Sequence, residues 1–302
     1  ACSLAIELTG LKNNGYKAIF LQGGASLQFL MVAYNFLKTK AGYINTGTWS
    51  EKAIKEAKLF GEVIEIASSK DQNFNYIPKK IKIVDKYDYI HLTTNNTIFG
   101  TQFHNFPDTN SSLIADMSSD IFSRVIDYSK FDLFYAGAQK NTGPAGTTLV
   151  IVKESLLSEM NKNIPSMLSY KVHIDKESMF NTPPVFPIYT AMLNLRWIKK
   201  NGGIQNIENK NREKANLIYN EIDNNSKFIG FAEKDDRSFM NVTFNLIDSE
   251  EKDIFDKICE ENNVVGINGH RSVGGYRASI YNAMTLESVE VLVDCMKKFE
   301  KL

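Results

Sequence analysis

Short apolar, β-branched runs recur through the first two thirds of the chain, and segments of helical period separate some of them. Residues 16–22, 63–67, 89–93, 113–117, 133–136 and 147–152 read as strands. Most are too apolar to leave one face wet, which points to a mixed or mostly parallel sheet covered on both sides. Between the first two, residues 26–38 place Leu27, Leu30, Met31, Tyr34 and Leu37 three to four positions apart, a helical stripe. Ser50 precedes a run rich in Glu, Lys and Ala, so a helix is expected from Ser50 as N-cap to a stop near Gly61. Residues 3–11 read as the end of a helix that stops near Gly15.

After Ile188 the pattern changes. Residues 189–200 form a helical segment ended by Gly202 and Gly203, and 204–224 a long helix with a polar face. A strand candidate at 239–246, a helix at 251–261, a loop at 266–275 and a last helix at 285–299 follow. We therefore expect an α/β fold in which a large domain, residues 1–203, precedes a smaller α+β domain, residues 204–302.

Composition narrows the function without choosing it. Of 302 residues, 35 are Lys or Arg and 35 are Asp or Glu, so no global positive field draws in nucleic acid or an acidic membrane. A small anionic substrate stays open, because local arginines suffice for it. Cys2, Cys259 and Cys295 have neither metal-like spacing nor an even count, which fits a reducing, cytoplasmic setting. No run is apolar enough to span a bilayer, and no basic segment leads into a hydrophobic one as in a signal peptide. The chain begins inside a helix and without Met, so we expect part of the fold to lie upstream. Gly-x-Ser-x-Gly, Gly-Lys-Ser/Thr and His-Glu-x-x-His patterns are absent, and four scattered histidines argue against a histidine-rich metal site.

The central pair is Asp116 and Lys140. Asp116 closes one predicted strand, at the carboxyl edge where α/β sheets bind ligands. Lys140 follows the next, in a loop cleared by Gly137 and Ala138 and shaped by Gly143, Pro144 and Gly146. A lysine and a carboxylate converging on one ring are what pyridoxal phosphate requires: an amine for the Schiff base and an anion at the pyridine nitrogen. The bland alternative is a solvated loop lysine. Gly23, Gly24, Ala25 and Ser26 join a strand to a helix, where free N–H groups can hold a phosphate; Ser26 could equally be an N-cap. Trp49 can stack on a pyridine ring or fill a core or interface. Thr97 can reach the ring's 3'-oxygen, and His91 reads as a core histidine. His270, Arg271 and Arg277 punctuate a glycine-rich run suited to clamping an anion, or to a solvated turn with surface ion pairs.

The stretches 22–29 (QGGASLQF), 95–101 (NNTIFGT), 115–120 (ADMSSD), 136–141 (AGAQKN), 181–184 (NTPP) and 269–279 (GHRSVGGYRAS) occur in one order over nearly the whole chain. In this the chain resembles the phosphoserine aminotransferase family, class-V aminotransferases that use pyridoxal phosphate. The resemblance implies the PLP-dependent transferase type I fold, with a mostly parallel seven-stranded sheet, helices on both faces and a smaller α+β C-terminal domain. It implies that Lys140 holds the cofactor covalently and moves the Cα proton. Asp116 would pair with the ring nitrogen, Trp49 stack on the ring and Thr97 contact its oxygen. Ala25, Ser26 and Gln139 would bind the cofactor phosphate, joined by Asn181 and Thr182 from the other subunit of a homodimer. His270, Arg271 and Arg277 would bind the substrate anion. Some relatives carry arginine in place of Ser26, and relatives have a preceding segment that includes a substrate-binding His-Arg pair. The implied reaction is reversible amino transfer between O-phospho-L-serine and 2-oxoglutarate, extending to 4-phosphooxy-L-threonine. The rivals are an alanine–glyoxylate aminotransferase, a cysteine desulfurase, for which none of the three cysteines sits in a suitable loop, and a non-catalytic dimeric binding protein.

Overall fold

The computed structural model describes residues 1–271 and 273–302; Ser272, part of the glycine-rich run, lies outside the described residues. The large sheet uses β1 (Tyr16–Leu21), β2 (Lys40–Asn45), β3 (Glu62–Ser68), β4 (Tyr89–Thr93), β7 (Ser112–Asp116), β8 (Leu133–Gly137) and β9 (Thr148–Lys153), in the order β1-β9-β8-β7-β4-β2-β3. β9 runs against both its neighbours, and the other pairs are parallel. The mostly parallel seven-stranded sheet is therefore present. β5 (Asn95–Asn96) and β6 (Thr101–Gln102) form a small hairpin beyond the end of β4.

Alternation along each strand sorts its side chains between two cores. Phe134 and Ala136 join Phe20, Leu92, Ala115 and Ile151 under α1 (Cys2–Leu8) and α5 (Val185–Lys200). Leu133 and Tyr135 join Ile19, Tyr43, Ile114 and Val150 under α2 (Gly24–Phe36), α3 (Thr48–Ala57) and α4 (Tyr170–Asp175). Asp116 follows Ala115, so it points to the α2–α3 side. That is where both helices start.

A second, antiparallel sheet, β10 (Phe228–Gly230), β11 (Asn241–Leu246) and β12 (Tyr276–Ser279), packs with α6 (Gly203–Asn224), α7 (Lys252–Glu261) and α8 (Leu286–Glu300) around Phe228, Phe244, Phe255 and Phe299. Helix α6 serves both parts: Ile204 and Ile207 enter the first core, while Ala215, Ile218 and Ile222 enter this one.

Several elements differ from the sequence expectation. β2 reads poorly because Gly42 interrupts it, yet Gly42 is buried where an added Cβ would sit 3.2 Å from Ile90 and 3.3 Å from Tyr87. Ser50 is not the N-cap of α3. Gly47 is, and Ser50 lies inside the helix, donating to the Gly47 carbonyl at 2.8 Å. Trp49 accordingly sits on the first turn rather than ahead of it. α5 begins at Val185, before its proline: Pro187 falls in the first turn, where a missing N–H breaks no helical bond. Arg277, read only as part of a glycine-rich run with no strand expected there, lies on strand β12, whose residues alternate between buried and half-buried.

Candidate active site

Five strands bring their carboxyl ends to one edge. Leu21 and Gly137 both pair with Thr148, and Asp116 pairs with Thr93 on one side and Tyr135 on the other. The segments leaving those ends, 22–26, 46–50, 94–97, 117–120 and 138–142, therefore share a neighbourhood, and they carry most of the candidate residues.

Asp116 is 4% exposed. Its Oδ1 accepts the Ser118 N–H at 2.9 Å. Burial raises its pKa, against the lowering effects of Ser118 and of the Lys140 charge. The half-buried Lys140 is shifted oppositely. Burial lowers its pKa, Asp116 and Asp120 pull it up, and the Arg277 cation pushes it down. Asp116 and Arg277 thus both act on Lys140, although Arg277 lies 137 positions from it along the chain.

Lys140 Nζ lies 5.8 Å from the centre of the Trp49 ring. The Trp49 N–H donates to Thr97 Oγ1 at 3.0 Å, and Arg277 Nη1 donates to the Thr97 carbonyl at 3.2 Å. Arg277 Nε is buried without a hydrogen-bond partner among the described residues. An unpaired guanidinium N–H is costly unless an acceptor occupies the space beside it.

At the start of α2, Gly23 and Gly24 take φ of 91° and 66°, and no side chain caps the helix. The alternative of Ser26 as N-cap is therefore corrected: the cap is Gly23, and Ser26 is exposed on the first turn. An added Cβ at Gly23 would lie 2.6 Å from Leu27, so glycine is required there for space as well as for backbone angle. The first-turn N–H groups stay open to an anion, favoured by the helix dipole. Ala25 stands beside them. Gln139 folds back over Gly137, where a Cβ would meet its Oε1 at 2.7 Å.

Asn181 and Thr182 lie elsewhere on the surface of the same edge. Asn181 Nδ2 donates to Gln22 Oε1 at 3.4 Å, and Gln22 Nε2 to the Thr182 carbonyl at 3.2 Å. Arg271 is exposed on a turn in which the His270 carbonyl accepts the N–H groups of Val273 and Gly274, each at 2.8 Å. His91 is buried on strand β4, as a core histidine, with Nε2 2.8 Å from the Tyr135 hydroxyl; Nδ1 has no partner among the described residues.

Three groups escaped the sequence reading. Ser118 holds Asp116 through its N–H and accepts the Gly137 N–H on its hydroxyl at 3.1 Å, joining the two strand ends. Asp120 forms a buried pair with Arg124, Nη2 to Oδ2 at 2.8 Å, and receives the Thr94 hydroxyl. Asn141 ties the Lys140 loop to its surroundings. The signal for Ser118 and Asp120 was their place in the 115–120 stretch; for Asn141 it was adjacency to Lys140.

The donor set fits a planar, anionic heterocycle. It offers a buried carboxylate that lacks a full counter-charge, an amine with depressed basicity, an indole face, a hydroxyl and an uncapped helix start. Among the described residues no helix is long and apolar enough to cross a membrane, and no group of three or more His, Cys, Asp or Glu is placed to hold a metal ion.

The aminotransferase class-V family profile matches residues 10–292. A phosphoserine aminotransferase of Flavobacterium psychrophilum is 59% identical over 302 residues, spanning 99% of this chain and 85% of the relative. One from Bacteroides fragilis is 55% identical over 291 residues, spanning 95% and 82%. Among solved structures, the phosphoserine aminotransferase of Bacillus circulans subsp. alkalophilus superposes with a TM-score of 0.96 at 48% identity, covering 99% of this chain and 84% of that one. The PLP-bound enzyme of Trichomonas vaginalis gives 0.91 at 33% identity, covering 98% and 86%.

Proposed function

Because the chain belongs to the aminotransferase class-V family, we propose that it uses pyridoxal 5'-phosphate to transfer an amino group reversibly between O-phospho-L-serine and 2-oxoglutarate, giving 3-phosphooxypyruvate and L-glutamate. The observation that carries this reading is the joint placement of Lys140, Asp116, Trp49 and Arg277 around one space. When bound, the cofactor supplies an electron sink for the pair left on the substrate's α-carbon.

Each residue contributes a separate physical task. Asp116 holds the ring nitrogen: burial makes its charge costly, and a cationic N–H against it offsets that cost. Lys140 would hold the cofactor covalently, and its Nζ would accept and return the substrate's α-proton. Burial and the Arg277 cation keep that amine less basic than a surface lysine, so a neutral, proton-accepting form is within reach. Trp49 covers one ring face and excludes water from it. Thr97 receives the indole N–H on its oxygen, which leaves its own hydroxyl hydrogen to donate to the ring oxygen. Ala25, Ser26 and Gln139 hold the cofactor phosphate at the uncapped start of α2. Arg277, with His270 and Arg271, binds the substrate's anionic groups; its unpaired Nε–H is supporting evidence.

The same reading makes the molecule a cytoplasmic homodimer in which Asn181 and Thr182 reach the partner's cofactor phosphate. It also divides the chain into a cofactor-binding part, 1–203, and a smaller part, 204–302, a reading supported by distinct apolar cores that change over within α6, after Ile207 and before Ala215. Activity extends to 4-phosphooxy-L-threonine, linking serine and pyridoxine biosynthesis. The deciding assay pairs glutamate with 3-phosphooxypyruvate, and in parallel with pyruvate and with glyoxylate. Turnover with the phosphorylated acceptor should exceed the other two by orders of magnitude; preference for glyoxylate would replace this reading with an alanine–glyoxylate type.

A further inference from the structure

Asn141, next in the chain after Lys140, is 2% exposed, and both ends of its carboxamide are engaged. Nδ2 donates to the Ser119 carbonyl at 3.2 Å and touches Met240 Sδ at 3.4 Å. Oδ1 accepts the Asn282 N–H at 3.0 Å. The main-chain carbonyl of Asn141 accepts from Asn194 Nδ2 at 2.6 Å, and that amide also reaches the Thr142 carbonyl at 3.1 Å.

These anchors come from three directions. Ser119 sits in the segment that leaves Asp116, one residue beyond the Ser118 that holds the Asp116 carboxylate. Asn282 lies just past β12, the strand that carries Arg277. Asn194 is on α5. One side chain therefore connects the three segments that bear the carboxylate, the amine and the arginine. We propose that Asn141 is a positioning residue that fixes Lys140 relative to Asp116 and to the Arg277 strand through its bridge between Ser119 and Asn282.

The surroundings argue that this bridge orients the lysine more than it holds up the fold. The segment after β12 is fixed without it. Lys214 Nζ donates to the carbonyls of Ile280, Tyr281 and Met284 at 2.9–3.1 Å. The Asn282 side chain reaches the Phe122 carbonyl at 3.0 Å and accepts from Asn211 at 2.8 Å. The 117–123 segment has its own ties through Ser119 to Asn95 and Asp120 to Arg124. The turn at 138–143 is closed by the Lys140 and Gly143 N–H groups on the Ala138 carbonyl, each at 2.7 Å, and held from α5 by Asn194, so the Asn141 carboxamide is what ties it toward the Ser119 and Asn282 segments. Without the carboxamide, that turn can shift its lysine while both flanking segments stay in place.

The inference rests on the role given to Lys140 above, and the test separates the two. Holoenzymes carrying Asn141→Ala and Asn141→Asp are compared with the parent for kcat, for KM with glutamate and phosphoserine, and for the pH titration of the bound cofactor's absorbance. The aspartate keeps the size and an acceptor for Asn282 but loses the donor to Ser119. The expected result is a kcat lowered roughly 10- to 100-fold, the scale of a small misplacement of a reacting group, with KM changed less than about threefold. The absorbance titration moves as well, because the amine sits differently against Asp116. Unchanged kcat and titration in both variants overturn the proposal. So does a loss shared by kcat and KM that follows a drop in thermal midpoint, which marks a purely structural asparagine. If the alanine variant does not fold, the aspartate variant decides. Failure of the Lys140 assignment shows differently: Lys140→Ala would then turn over substrate, whatever Asn141 does.

Discussion

The indole N–H of Trp49 donates to Thr97 Oγ1 at 3.0 Å, joining the first turn of α3 to the loop beyond β4. Each residue was expected to touch a different part of one ring. Their mutual bond fixes the indole plane and directs the Thr97 hydroxyl hydrogen elsewhere. It predicts that Trp49→Phe, which keeps an aromatic face, weakens cofactor binding about 2- to 10-fold, the worth of one neutral hydrogen bond. Trp49→Ala should cost a further tenfold or so by removing the face. Equilibrium binding of the cofactor to each variant measures both steps, and a phenylalanine variant as tight as the parent would remove the bond from the account.

Lys140→Ala should lose covalent attachment of the cofactor while leaving its pocket. Reduction with borohydride followed by denaturation and mass spectrometry gives a cofactor-bearing parent and an unmodified variant. Attachment at an unchanged level in the variant would place the reactive amine on another lysine.

Arg277 carries a buried Nε–H that has no partner among the described residues, and a donor bond to the Thr97 carbonyl. Arg277→Ala should lower kcat/KM for phosphoserine about 10- to 150-fold, the range of a hydrogen bond to a charged group. The loss for unphosphorylated serine should be much smaller. Equal losses would assign Arg277 to the carboxylate that both substrates share. Arg277→Lys keeps the charge without the planar fork, and should recover only part of the difference.

His91, 1% exposed, has its pKa pushed down from 6.5 to about 3 by burial. The folded chain therefore excludes a proton that the unfolded chain takes up below pH 6.5. The stability from this group is present in full above 6.5 and is lost as pH falls toward 3. Its share of the slope is about 1.4 kcal/mol per pH unit, one proton's worth. Denaturant titrations at pH steps between 6.5 and about 4 should show His91→Gln losing stability less steeply than the parent by roughly that amount. Parallel curves would mean that the folded protein protonates His91 normally.

Much of the site lies in view before any coordinates. Asp116 closes an apolar run that had to be a buried strand, Lys140 follows the next such run, and Gly23-Gly24 stands between a strand and a helix, so the edge follows from periodicity and chain order, while the roles of these residues were what the family resemblance implied. β2 and β12 stayed hidden because burial there is achieved by other means. Gly42 carries no apolar side chain and is packed closely by Ile90 and Tyr87, and Arg277 is a charged residue on a strand embedded in a glycine-rich run. Hydrophobic patterning has no sign for either.

The order of small and polar residues along the chain was enough to specify an α/β sheet, the edge where the candidate residues gather and their chemical types. Tertiary structure alone decided which of those groups act on one another: Thr97 meets Arg277 across 180 positions, and Asn141 meets Asn282 across 141. The physical reason is that a periodic pattern records which side of an element must leave water. The depression of Lys140's basicity, the bond from Arg277 to the Thr97 carbonyl and the bridge through Asn141 depend instead on distances between segments, which exist only after both cores have closed around the sheet.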